Sequence, residues 1–268
     1  MENKQEKKEL VEVVQNKIEE LANKGTVALP PNYSAANALR SAWLQIQETT
    51  DITKRPALEV CTRDSITNAL LYTAVQGLSP AKKQVYYIVY GNQLQAQRSY
   101  FGTIAATKRV PGVKDVWSDV VYEGDDFQAE KVRGGGWIIK KHTSSPENIN
   151  LEKIKYAYAV IEREGEPDFT EIMTWQQIQS SWNKSRSKDK TVHKEFPDQM
   201  AKRTVINRAC KMFFNTSDDS DLLVEAFNAT GDQYENREPQ ERPQLEKNSL
   251  NAINAELDED GGDAGNGQ

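Results

Sequence analysis

The chain has 268 residues, 37% hydrophobic and 28% charged, enough for one large or two small domains with a packed core under a very polar surface. Its net charge of −6 divides unevenly: residues 1–217 carry 31 Lys+Arg against 26 Asp+Glu, whereas residues 218–268 carry 3 against 14. This composition excludes a membrane span, and two Cys (Cys61, Cys210) with two distant His (His142, His193) cannot build a metal cluster.

Residues 4–24 predict an amphipathic helix, with Leu10, Val13, Val14, Ile18 and Leu21 at helical spacing and Gly25 as its stop. The stripe must dock on the chain's own core or on a neighbouring subunit, and it is the candidate subunit contact. The same stretch has no apolar run of signal-peptide type, and both thiols sit in apolar helical contexts. A reducing, cytoplasmic location is therefore expected. After Pro30-Pro31, helices are expected over 34–48, burying Leu39, Trp43 and Ile46, and over 63–76 between a Thr62 cap and Gly77.

Then the period changes. Residues 84–90 are rich in aromatic and β-branched side chains and predict a strand, turned at Gly91-Asn92 into a partner over 93–100. Residues 102–109 predict a short helix. Strands follow at 116–122, 127–132, 137–142, 155–163 and 169–173, with a turn at Gly134-Gly135-Gly136. Thr174 and Gln177 match a capping box for a helix to Trp182, and 183–190 is a basic loop. Pro197 then opens a helix over 196–214. The fold class expected is α+β: a small, mainly antiparallel β-sheet core with flanking helices. Residues 1–227 form its folded body, and 228–268 read as an acidic, flexible tail.

Little in this chain suggests catalysis. There is no Gly-x-x-x-x-Gly-Lys-Ser/Thr run, so no P-loop. A metal-dependent nuclease needs converging acids, often with a nearby Lys. Asp168 and Glu171 have that spacing, but Met173 stands where the Lys would be, and Asp125-Asp126 reads as a solvated turn. No catalytic residue, metal ligand or cofactor is assigned, and an interaction scaffold without nucleic acid remains the other alternative.

The binding signal recurs. Residues 81–115 contain Lys82, Lys83, Arg98, Lys108, Arg109 and Lys114 against Asp115 alone, interleaved with Tyr86, Tyr87, Tyr90, Tyr100 and Phe101. Cations suit phosphates and rings can stack on unpaired bases, although the three tyrosines of 86–90 fit a half-buried strand better. The helix over 196–214 reads as two-faced, with Ala201, Val205, Ala209 and Met212 on one side, flanked by Ile206 and Phe213. On the other are Arg203, Asn207, Arg208 and Lys211, with Thr204 between. Lys194 joins by charge, and Lys202 by snorkelling from the apolar side. The expected groove has this helix as one wall and Arg98, Lys108 and Arg109 as the other.

Three stretches, Tyr86–Tyr90, Gln95–Gly102 with Lys108-Arg109, and Met200–Arg208, carry a further signal. Together they resemble the RecT family of phage single-strand annealing recombinases over about residues 5–225. The resemblance implies ATP-independent binding of single-stranded DNA, annealing to a complementary strand through a duplex intermediate, and assembly into homo-oligomeric rings or filaments. It also implies a partner exonuclease and a host single-strand-binding protein. Arg98, Tyr100, Lys108, Arg109, Lys202, Arg203 and Arg208 occupy the matching motif positions. Lys194 and Lys211 rest on charge and helix position, and Asn207 on its place in the polar face.

Overall fold

The computed structural model describes residues 2–132, 136–183, 191–216 and 221–231. They form helices and three small antiparallel sheets, the α+β class expected from the sequence. The first layer is helical: α1 (Glu2–Asn23), α2 (Ala35–Glu48), the one-turn α3 (Ala57–Val60) and α4 (Arg63–Val75). Ser34 and Thr62 cap α2 and α4, each hydroxyl accepting an amide hydrogen bond at 3.3 Å. Leu10, Val11, Val14, Ile18 and Leu21 of α1 are buried, and α1 packs on α2 and α4. This corrects the expected subunit contact: the stripe is covered by the chain's own core.

The hairpin β1 (Val85–Tyr90) and β2 (Gln93–Arg98) follows, with Val85 opposite Arg98 and Tyr90 opposite Gln93. Strand alternation settles its tyrosines. Tyr87 faces inward, its hydroxyl 2.9 Å from Thr73 Oγ1, while Tyr86 and Tyr90 face solvent. Helix α5 (Tyr100–Thr107) starts two residues earlier than the sequence suggests, because Ser99 caps it by accepting from the Gly102 N–H at 3.2 Å.

Strands β3 (Val113–Tyr122), β6 (Ile154–Arg163) and β7 (Phe169–Thr174) form one sheet in the order β3-β6-β7, and β4 (Asp126–Lys131) pairs with β5 (Trp137–Thr143) as a separate hairpin. The helices α6 (Trp175–Asn183), α7 (Thr191–Glu195), α8 (Pro197–Phe214) and α9 (Asp221–Ala229) complete the order. The capping box forms: Thr174 Oγ1 accepts from the Gln177 N–H at 3.3 Å and Gln177 Oε1 from the Thr174 N–H at 3.0 Å.

Central β6 is buried on both faces. Ala157, Ala159 and Ile161 belong to the main core with Ala201, Val205 and Ala209 of α8, so small residues on both elements let helix and sheet approach closely. On the other face Tyr158 and Val160 join Val121 in a second apolar cluster, against which Phe127 and Ile139 of the β4–β5 hairpin pack. A polar clasp closes that hairpin: His142 Nδ1 lies 2.8 Å from the Tyr158 hydroxyl and His142 Nε2 3.3 Å from Asp125. Asp125 also accepts from Ser144 Oγ at 2.6 Å, Asn148 Nδ2 at 3.1 Å and the Tyr122 N–H at 2.8 Å. Burial pushes its carboxyl up, but these donors outweigh burial and hold it below the usual range. Asp125 is thus an interior clasp and not the solvated turn residue expected.

The C-terminal end of the body extends past residue 227. Phe227 stacks on Phe214 with ring centroids 3.9 Å apart, and Thr230 is buried, its carbonyl accepting from the Arg98 N–H at 2.7 Å. The folded body therefore runs at least to Thr230, because Arg98 needs that carbonyl. Residues 232–268 lie outside the described residues, as do the Gly134-Gly135 turn and 184–190 of the basic loop.

Candidate nucleic-acid interface

Helix α8 is more enclosed than a two-faced wheel implies. Pro197 sits at its first position, where a missing N–H is tolerated. Ala201, Val205 and Ala209 pack toward the sheet, and Cys210 and Phe214 on the far side are buried as well. Thr204 is interior, its hydroxyl accepting from Trp182 Nε1 at 2.8 Å and donating to the Met200 carbonyl at 2.8 Å. Met212, assigned to the core from sequence, is exposed one turn beyond exposed Arg208, although Cys210 and Phe214 in the same turns are buried. What remains accessible is a strip of Arg203, Asn207 and Lys211, half-exposed, and Arg208, exposed, with Lys202 half-exposed apart from it toward β3 and Lys194 exposed on α7. The Oδ1 of Asn207 is buried and has no hydrogen-bond partner among the described residues.

These cations are better neutralised than expected. Lys202 Nζ lies 3.0 Å from Asp119 of β3, and Arg208 Nε lies 2.8 Å from Glu171 of β7. Lys108 Nζ is 2.8 Å from Asp115, whose carboxyl it holds below the usual range. Such partly exposed pairs contribute only about 0–1 kcal/mol each, so an incoming phosphate can exchange for the carboxylate at small cost.

The second wall of the expected groove is corrected at two positions. Arg98 is only 5% exposed. Its Nη1 donates to Gln76 Oε1 at 2.8 Å, the Phe227 carbonyl at 2.7 Å and Thr230 Oγ1 at 2.9 Å. Its Nε donates to Thr103 Oγ1 at 3.0 Å, and the guanidinium lies 3.5 Å from the centre of the Phe227 ring. Arg109 is half-buried under Gly77, donating to the carbonyls of Val75 at 3.2 Å and Ala28 at 2.5 Å, so it satisfies the end of α4. Both charges were read as surface because sequence shows a cation but not where its donors go. Lys108 stays at the surface. Tyr100 is half-buried against the core, with its ring 4.3 Å from that of exposed Phe101.

Lys82, Lys83 and Phe101, all exposed, were noted in the sequence but not assigned to the site. They stood in the basic, aromatic run 81–115, but nothing in that run ranked them above Arg98. The nuclease alternative gains nothing: Asp168 accepts from the Arg163 N–H at 3.3 Å, and Glu171 is the partner of Arg208. Among the described residues no three His, Cys, Asp or Glu gather as a metal site, and no helix is long and apolar enough to cross a membrane.

Residues 36–244 match the profile of the RecT family. Protein RecT of Escherichia coli (strain K12) is 28% identical over 195 residues, covering 69% of this chain and 68% of that protein. The matched stretch includes every candidate interface residue from Arg98 to Lys211 and begins at the start of α2.

Proposed function

The chain belongs to the RecT family and so carries a single-strand annealing role in DNA recombination, and from that premise we propose how it works. It binds one strand by its phosphates, without ATP, and presents the bases to a complementary strand. Base pairing supplies sequence specificity, and no bond is made or broken. Copies of the chain line up so that their basic strips follow one strand, as a ring or filament in a phage-type recombination system. A partner exonuclease makes the single strands, and a host single-strand-binding protein is handed off. The contacts are Lys108, Lys194, Lys202, Arg203, Arg208 and Lys211.

The observation that carries this reading is the strip on α8. The helix is packed by other elements on most sides, yet it keeps Lys202, Arg203, Arg208 and Lys211 within reach of solvent. The decisive experiment mixes complementary oligonucleotides with purified protein, without nucleotide, and follows annealing while binding is titrated with salt. Binding should weaken with salt with a slope of about −0.7 per phosphate contact. Replacing Arg203 and Arg208 together with Ala should flatten that slope by about 1.4 and weaken binding to all sequences alike. A salt-independent affinity, or magnesium-dependent loss of the labelled DNA, would overturn the reading.

A further inference from the structure

At the start of α5 three surface side chains are brought to one corner. The turn before β1 ends on Lys83, which has a left-handed backbone (φ 55°, ψ 30°) unusual for a residue with a side chain. That turn is held by the Lys83 N–H donating to the Pro80 carbonyl at 2.8 Å. It is tied to α5 twice over: Ser99 Oγ donates to the Lys83 carbonyl at 2.7 Å, and the Ser99 N–H donates to the Gln84 carbonyl at 2.9 Å. Gly102 completes the joint, since a Cβ there would stand 2.0 Å from the Gln84 carbonyl oxygen and 2.6 Å from Arg98 Cγ. The result is a fixed platform from which Lys82, Lys83 and Phe101 project. Neither lysine is in an ion pair among the described residues. Phe101 is 52% exposed, although the half-buried Tyr100 ring backs it at 4.3 Å.

Phe101 is exposed at the start of a helix tied to the turn that carries two lysines, neither in an ion pair among the described residues. Burial would stabilise that ring, and left-handed backbone at Lys83 costs free energy. Both features fit one ligand chemistry, an anion next to a flat π-system. The geometry points to a nucleotide-binding corner, in which Lys82 and Lys83 hold backbone phosphate and Phe101 stacks on an unpaired base of single-stranded DNA. This rests on the annealing reading and adds a second aromatic and basic contact, at the start of α5, to the cations and amide of the α8 strip. An acidic peptide would satisfy the lysines but offers no face to the ring.

The test uses the full chain and an oligo-dT strand carrying one 2-aminopurine. Phe101→Ala should weaken binding roughly 5- to 100-fold at an unchanged salt slope, and should abolish stacking-dependent quenching of the probe. Phe101→Trp should restore both. The pair Lys82→Gln and Lys83→Gln should flatten the salt slope by about 1.4, two single-strand contacts. Phe101 is a surface residue, and matched melting temperatures would confirm intact folding. If the wild-type chain binds with a normal slope but the Phe101 and lysine variants match it in affinity, slope and quenching, the corner is wrong and the α8 interface stands. A lysine effect without a Phe101 effect likewise overturns the base-stacking assignment. If the wild-type chain does not bind the strand at all, the annealing reading itself fails.

Discussion

Arg98 places its guanidinium at the C-terminal end of α9, where the Phe227 carbonyl accepts from it and the Phe227 ring lies beneath it. A cation suits a helix C-terminus, and here it also serves Gln76 and Thr230, two buried groups that bind each other. Arg98→Ala would strand those acceptors, each at about 1–3 kcal/mol. With several buried acceptors affected, the expected loss is about 3 kcal/mol in denaturant unfolding. A loss below about 1 kcal/mol would show that Arg98 does not anchor α9. Lys offers a single point charge in place of the fork, so Arg98→Lys should rescue little. Gly102 makes the same argument through space: with backbone oxygen 2.0 Å from its missing Cβ, Gly102→Ala must shift α5 or β1. That overpacking should cost about 1–3 kcal/mol and appear as a lower melting temperature.

The β4–β5 hairpin is held by apolar packing and by the Asp125 clasp. Asp125 titrates below the usual range in the folded state, so its contribution is fully present above the ordinary carboxyl value of about 3.9. It is lost as pH falls from there through the lower folded value. Asp125→Asn should therefore destabilise the protein by about 1–3 kcal/mol at neutral pH and make the acid limb of its stability profile shallower. An unchanged limb would move the acid sensitivity to other carboxylates. Elements marked by local chemistry were legible in the sequence: the Gly91-Asn92 hairpin, the Thr174 capping box, Pro197 at the start of α8 and the strand at β6. The pieces α3 and α7 are too short to show a period, and α9 is stabilised by Arg98 and Phe214 from distant parts of the chain. For α8 the periodicity showed which residues are neighbours on the helix. It could not show that β3, β6, β7, α5 and α6 cover so much of its circumference. Hence the cations of the strip were found, while the burial of Thr204 and the exposure of Met212 were not.

At the scale of the whole molecule, charge divides along the sequence. The body to residue 217 carries +5, and the segment 232–268 alone carries 3 Lys+Arg against 10 Asp+Glu. The Thr230 carbonyl is bound to the Arg98 N–H, so the described chain ends, at Gly231, near the end of β2. Five acids fall within 256–263, about 25 residues beyond Gly231, and a chain of that length spans at most about 85 Å. Carboxylates tethered to a basic body can compete with DNA phosphates for its cations. Ending the chain at Gly231 should therefore raise affinity for oligo-dT several-fold at about 0.05 M salt. The gain should fade towards about 0.5 M, where screening weakens tail and phosphate contacts alike. Replacing the five acids of 256–263 with their amides should reproduce most of the effect without shortening the chain. Equal affinities for full-length and truncated protein at low salt would mean that the acidic segment serves a partner and not the interface.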